Sequence, residues 1–123
     1  MGILLGLLMS VLLWANASPA QAQSVGECQA KINDLQAATQ TATFIGQNAE
    51  KNRTGLVNKL TNASAKLEEG KNQDAIQKLT DFKTTVSTLN AQGKIAPADA
   101  QTLLTGADEV IACIRGLEGT AAA

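Results

Sequence analysis

The stretch LEEGKNQDAIQKLTDFKTTVSTL, residues 67–89, decides the fold class of this chain. Gly70 suits the left-handed backbone position that follows a helix, and Asn72 suits the cap of the next one. An apolar stripe then continues for about four turns at helical spacing. It consists of Ala75, Ile76, Leu79, Phe82, Val86 and Leu89. The stretch therefore predicts a tight turn that joins two amphipathic helices.

Helical spacing also appears before this turn. The first predicted helix runs from about Cys28 to Thr43, and its apolar face consists of Cys28, Ile32, Leu35 and Ala42. Phe44, Ile45 and Gly46 break this pattern, because Gly destabilises a helix interior and favours a turn. The second predicted helix begins near Asn52 or Thr54 and ends at Gly70. Its apolar face consists of Leu56, Leu60, Ala63 and Leu67.

Gly93 is predicted to end the third helix, and Ile95 to fold back on that helix end. A fourth helix is predicted to follow. Pro97 marks its first turn, where the missing proline N–H costs nothing. Gly116 and Gly119 are predicted to end it, and residues 120–123 to form a disordered tail. Its inward-facing residues are predicted to be Ala100, Leu103, Leu104, Ala107, Ile111 and Ile114.

These patterns predict an all-α fold, because no segment shows the alternation of a half-buried strand. Four helices joined by short turns favour antiparallel neighbours, and hence an up-down-up-down four-helix bundle. In that topology the first helix starts at the end of the bundle where the fourth helix finishes.

The two cysteines, Cys28 and Cys113, fall at these two helix ends. We therefore predict a disulfide that closes the bundle, and loop-closure entropy makes it worth roughly 4 to 5 kcal/mol. Two free buried thiols are one alternative, and a redox or metal role is another. A redox pair is usually spaced Cys-x-x-Cys, and a zinc site needs four ligands, often including His, which this chain lacks.

Residues 1–22 have the pattern of a signal peptide. An apolar run over residues 3–14 is followed by Ala20-Gln21-Ala22, which predicts cleavage after Ala22. The run is too short to cross a bilayer, which takes roughly 20 residues, so a retained anchor is the weaker alternative. We expect no stable membrane insertion after cleavage. Residues 23–119 would then form one secreted or periplasmic domain.

The residue types argue against catalysis and against cofactors. The chain has no His or Tyr, and its Trp and both Met fall in the predicted signal peptide, so the common general bases and haem ligands are missing. We predict no enzyme, no cofactor and no metal site. The adjacent carboxylates at 68–69 and 108–109 are expected to be solvated, and Phe44 and Phe82 to belong to the core.

Charge likewise points to no obvious polyanionic partner. The formal net charge is −1, with both signs distributed along the chain, so neither nucleic acid nor stable contact with an anionic membrane is expected. Acidic residues alternate with Lys59, Lys66, Lys71 and Lys78, which favours a mixed solvated face over an anion-binding strip. We expect a monomer. Asn52-Arg53-Thr54 and Asn62-Ala63-Ser64 match the short N-glycosylation pattern.

The second half of the chain resembles a known group of modules. The segments that carry the likeness are GLVNKLTNA from residue 55, LEEGK from residue 67, AIQKLTDF from residue 75 and GKI from residue 93. They look like the FIMAH and FIVAR modules, over residues from about 54 to 114. Such modules recur as non-catalytic segments of exported bacterial proteins, including glycan-degrading enzymes and adhesins. The resemblance implies an accessory or adhesive role in a bacterium, and it assigns no ligand role to any position.

The sequence thus predicts a small secreted, non-catalytic helical bundle that acts in protein–protein or cell-envelope interaction. Its partner would be an extracellular or envelope protein or a glycan of unknown identity. Two alternatives remain open at this point. One is a carrier that holds an apolar small molecule in the bundle core, and the other is an inhibitor of a secreted enzyme.

Overall fold

The computed structural model describes the backbone of residues 24–122 and the side chains of residues 24–117. It contains four helices: α1 (Val25–Thr41), α2 (Ala49–Glu68), α3 (Asn72–Ala91) and α4 (Pro97–Ala122). Over these residues there is no strand, and one isolated bridge joins Phe44 to Ile95. The all-α prediction is confirmed. The predicted signal peptide, residues 1–22, lies outside the described residues, so its cleavage stays a prediction.

The helices form a closed ring. Each packs against the helix that follows it in the chain, and α4 packs against α1. Short connections reverse the direction at each step, so the predicted antiparallel up-down-up-down bundle is confirmed. Between residues 24 and 122 no helix is both long enough and apolar enough to cross a membrane.

The ends of α1 differ from the prediction at both sides. The helix begins at Val25 rather than Cys28, because the Ser24 hydroxyl caps it by accepting a 3.1 Å hydrogen bond from the Glu27 backbone N–H. It ends at Thr41 rather than Thr43. Residues 42–48 form the α1–α2 loop, which therefore includes Ala42 and Thr43, the last two residues of the predicted helix.

The predicted start of α2 is also wrong. The helix begins at Ala49, about one turn before Asn52, and neither Asn52 nor Thr54 is its cap. Gly46 has a φ of 100°, a left-handed conformation that reverses the chain early enough for the helix to start there. Asn48 occupies the N-cap position without a side-chain hydrogen bond.

The turn between α2 and α3 follows the prediction closely. Gly70 has a φ of 81°, and the N–H of Lys71 donates to the carbonyl of Lys66 at 2.9 Å, which satisfies one of the last free carbonyls of α2. The cap, however, lies one residue earlier than predicted: Lys71 is the N-cap of α3, and Asn72 is already its first helical residue.

The helix α4 starts at Pro97, as predicted, but continues past Gly116 and Gly119 to Ala122. The helix end predicted at these two glycines is therefore wrong. Leu117 packs against the core, which supports the extra turn at the cost of roughly 1 kcal/mol that a glycine imposes on a helix. The domain limits, with residues 23–119 as the folded unit and a disordered tail over 120–123, stay a prediction.

The core is one aliphatic cluster that contains both phenylalanines. Every residue of the predicted faces of α1, α2 and α3 is buried, and on α4 only Leu104 is half-buried. Thr39 is the one buried polar residue among the described side chains, and its hydroxyl donates to the Leu35 carbonyl at 2.8 Å. Ile95 is buried against the helix ends, as predicted.

Candidate functional site

The disulfide joins α1 to α4 at one end of the bundle. Cys28 and Cys113 are bonded, with their Cα atoms 5.7 Å apart, and both residues are buried. The predicted bridge is confirmed, and this end of the molecule is hereafter the disulfide end. A buried disulfide between two helices has a structural role, because it fixes the spacing at which α1 and α4 lie.

The opposite end is held by contacts between the α1–α2 loop and the α3–α4 turn, residues 92–96. Ile45 donates its N–H to the Lys94 carbonyl at 2.9 Å, and Ala96 donates to the Thr43 carbonyl at 3.0 Å. The Thr43 N–H in turn donates to an Asp99 carboxylate oxygen at 2.8 Å. Two connections far apart in sequence are thereby paired, and we call this the loop end.

Arg53 anchors the loop end from α2. Its guanidinium lies 4.9 Å from the centre of the Phe44 ring, and Nη2 donates to the Ala42 carbonyl at 3.0 Å. It also pairs with the Glu50 carboxylate, and only 19% of its side chain is exposed. Sequence reasoning did not identify this role, since it considered Arg53 only as the middle residue of a glycosylation pattern. No local signal marks it, because its partners lie in a loop that the sequence left without a conformation.

The charged positions singled out in the sequence lie mostly at the surface. Glu69 pairs with Lys66 at 3.8 Å and with Lys71 at 3.4 Å, and Asp108 pairs with Lys83. The adjacent carboxylates therefore separate into different surroundings instead of converging on one site. Over the described residues, no group of three or more His, Cys, Asp or Glu side chains is arranged to hold a metal ion.

A surface groove between α1 and α4 is the candidate functional site. Its volume is about 480 Å³, and its floor is formed by Leu35, Ala38 and Gly106. The rims carry polar side chains: Lys31, Asp34, Gln101, Thr102, Thr105 and Glu109. A second depression of about 370 Å³ extends it toward the disulfide end, where Lys31, Glu109, Ala112 and Cys113 are the lining residues. We refer to the two depressions together as the α1–α4 groove.

Gly106 allows α1 and α4 to approach closely at this groove. A Cβ atom built at Gly106 would lie 2.7 Å from Cδ1 of Leu35, closer than carbon atoms pack. The glycine thus leaves room for the Leu35 side chain at the floor of the groove. The role of Gly106 could not be predicted from the sequence, because a glycine within a helical pattern carries no information about which helix faces it.

The sequence of this bundle matches one known protein family. Residues 32–112 match the sequence profile of the FIMAH domain. The chain belongs to the FIMAH family. The comparisons with curated proteins and with solved structures found no match.

The FIMAH match extends the resemblance that the sequence predicted. It begins at residue 32, within α1, rather than near residue 54, so all four helices contribute to the FIMAH segment. Asp34, Leu35, Gly106 and Glu109 of the α1–α4 groove fall inside the matched range. Both cysteines lie just outside the matched range, one before it and one after it, so the disulfide links the two ends of the FIMAH segment. FIMAH is a family of small non-catalytic helical modules, and this chain has that architecture.

Proposed function

We propose that this protein is an extracytoplasmic bacterial interaction module, which works as a monomer and binds a protein or glycan of the cell envelope through its surface. The observation that carries the proposal is the FIMAH match over residues 32–112, since the family consists of modules without catalytic activity that occur in surface proteins. A module of this kind contributes by binding, and its chemistry is that of a rigid scaffold.

The disulfide supports the proposed location outside the cytoplasm. Disulfides form and persist in oxidising surroundings such as the periplasm and the cell exterior, and they are rare in the cytosol. The Cys28–Cys113 bridge joins positions 85 apart in sequence and holds the two helices that line the candidate groove. A module that must keep its surface in shape outside the cell benefits from that link.

The packing of the core favours surface binding over a carrier function. Large side chains fill the space between the four helices and are fully buried, among them Phe82, Ile32, Leu56 and Leu79. The depressions described above open at the surface between α1 and α4. A carrier that held an apolar ligand at the bundle centre would first have to displace these side chains, with the loss of their packing energy.

The proposal is tested by affinity capture from the envelope of the producing cell. Oxidised protein is immobilised, and the same protein, reduced and alkylated at both cysteines, serves as the matched control. We expect a specific envelope protein or glycan to be retained by the oxidised form and lost from the control. Recovery of the same set of molecules on both forms, or of none on either, would contradict the proposed function.

A further inference from the structure

The α1–α4 groove carries unpaired charge on its rim. The side-chain carboxylates of Asp34 and Glu109 make no ion pair or hydrogen bond within residues 24–117, whereas Asp108, Glu69 and Glu50 are each paired with a cation. Lys31 lies on the same rim, so the groove has two carboxylates and one ammonium group. The rim is therefore net negative and has carboxylates free to accept hydrogen bonds.

The charge around the groove continues this asymmetry. Up to residue 117, α1 and α4 contain five carboxylates and two cations, whereas α2 and α3 contain four carboxylates and six cations. Asp108 pairs with Lys83 of α3 and Asp99 accepts from the Thr43 N–H. The unpaired groups of α1 and α4 are then Glu27, Asp34 and Glu109 against Lys31 and Arg115, so the side that carries the groove is weakly acidic and the opposite side weakly basic. A positively charged partner would be steered toward the acidic side, because complementary potentials raise the encounter rate and disfavour the wrong orientation.

The shape of the groove fits a helix. Its α4 rim runs from Gln101 to Cys113, which at 1.5 Å per residue is about 18 Å, or roughly three helical turns. Ala38, Gly106 and Ala112 are small, so a third helix could pack its ridge of side chains closely between α1 and α4. Leu35 lies beneath this path and is only 3% exposed, so the half-buried Ala38 and Gly106 provide most of the floor surface that a partner could contact.

We propose that the α1–α4 groove is a docking site for a basic amphipathic helix of a partner protein. The aliphatic side chains of that helix lie on the floor made by Leu35, Ala38 and Gly106. Its Lys or Arg side chains donate to Asp34 and Glu109. This inference rests on the proposed function, and it adds the binding surface and the chemistry of the partner. Helices that pack an apolar face into a groove are a common mode of peptide recognition.

The test uses the full mature chain with its disulfide intact and a defined probe. The probe is an 18-residue amphipathic model peptide of leucine and lysine, and its counterpart carries glutamate in place of every lysine. Backbone amide shifts are followed by NMR during titration. We expect shifts concentrated at Lys31, Asp34, Ala38, Thr105 and Gly106 with the lysine peptide and none with the glutamate peptide.

A pair of double variants measures the part played by charge. Asp34→Asn with Glu109→Gln removes both free carboxylates of the groove, and we expect the Kd for the lysine peptide to rise about tenfold, which corresponds to about 1.4 kcal/mol for the two surface ion pairs together. The matched control is Glu68→Gln with Asp81→Asn. These two residues are exposed on α2 and α3, lie outside the groove, and undergo the same change of net charge. We expect a Kd within twofold of the parent for the control.

The results separate this inference from the proposed function. Amide shifts spread over α2 and α3, or equal weakening by the two double variants, would overturn the groove as the docking site. An envelope partner whose cross-links map to another face, or a glycan that shifts other residues, would overturn the inference and leave the proposed function standing. If the peptide binds in the groove but no envelope partner is captured, the preference of the groove for a basic helix stands and the proposed function fails.

Discussion

The Asp99 carboxylate accepts a 2.8 Å hydrogen bond from the Thr43 backbone N–H, although the two residues are 56 positions apart. Thr43 lies in the α1–α2 loop, and Asp99 lies in the first turn of α4. The carboxylate therefore ties a loop that has no helical hydrogen bonds to the start of a rigid helix. It also stands near the positive end of the α4 dipole, where a negative charge is favourable.

Replacing Asp99 should loosen the loop end. We expect Asp99→Ala to lower the free energy of unfolding by about 0.5 to 1.5 kcal/mol, because the Thr43 N–H in the loop loses a charged acceptor. The Thr43 amide should exchange with solvent faster, which hydrogen-exchange NMR measures directly. Asp99→Asn keeps an acceptor oxygen and should retain part of the protection. Unchanged exchange at Thr43 in the Ala variant would show that this bond does not hold the loop.

Lysine should replace Arg53 only in part. We expect Arg53→Ala to lower the free energy of unfolding by about 1 to 2 kcal/mol, since it removes the hydrogen bond to the Ala42 carbonyl and the cation over Phe44. Arg53→Lys should recover less than half of that loss, because an ammonium group lacks the planar fork that reaches both partners. Urea unfolding of the three proteins provides the comparison, and full recovery by lysine would mean that charge alone matters.

Opening the disulfide should be the most costly single change. Cys28→Ser with Cys113→Ser is expected to lower the free energy of unfolding by roughly 4 to 5 kcal/mol, through the entropy that the unfolded chain regains. Denaturant unfolding with and without reductant gives the value. Mass spectrometry of the alkylated, non-reduced protein checks the starting state. Two alkylated thiols in that spectrum, or equal unfolding midpoints, would argue against the role assigned to the bridge.

Two helical glycines should respond to alanine in opposite directions. At Gly55 a Cβ has no neighbour within 4 Å, so Gly55→Ala should raise the free energy of unfolding by about 0.5 to 1 kcal/mol through helix propensity. At Gly106 the Cβ meets Leu35, and Gly106→Ala should lower it by about 1 to 3 kcal/mol.

A coupling experiment isolates the contact at Gly106. In a Leu35→Ala background the clash partner is absent, so the cost of Gly106→Ala should shrink to near zero. Thermal unfolding of the four proteins of this double-mutant cycle gives the interaction energy. An equal cost in both backgrounds would place the effect outside the Leu35 contact.

The features that could be predicted from sequence are those that depend on neighbours along the chain. The stripe from Ala75 to Leu89 repeats at helical spacing, and Gly70 takes the left-handed conformation that only glycine adopts easily, so α3 and its turn follow from local chemistry. The disulfide could also be predicted, because only one pairing exists for two cysteines and the bundle topology brings them to the same end.

The features that the sequence left open depend on which surfaces face each other. The role of Arg53 requires the path of the α1–α2 loop, and the groove requires knowing that Gly106 lies against Leu35. Helix ends were missed for a related reason. The early start of α2 is set by the left-handed Gly46, and the run of α4 through Gly116 is supported by packing of Leu117, so in both places tertiary context outweighs residue preference.

The position of the disulfide has a mechanical consequence. Cys28 lies in the first turn of α1 and Cys113 in the second half of α4, so a pull applied to the chain on either side of the two cysteines reaches the sulfur–sulfur bond before it reaches the residues between them. The disulfide would carry the tension, and the 84 residues between the two cysteines would not be extended. Under such a load the helical segments between the two cysteines would stay folded for as long as the sulfur–sulfur bond holds.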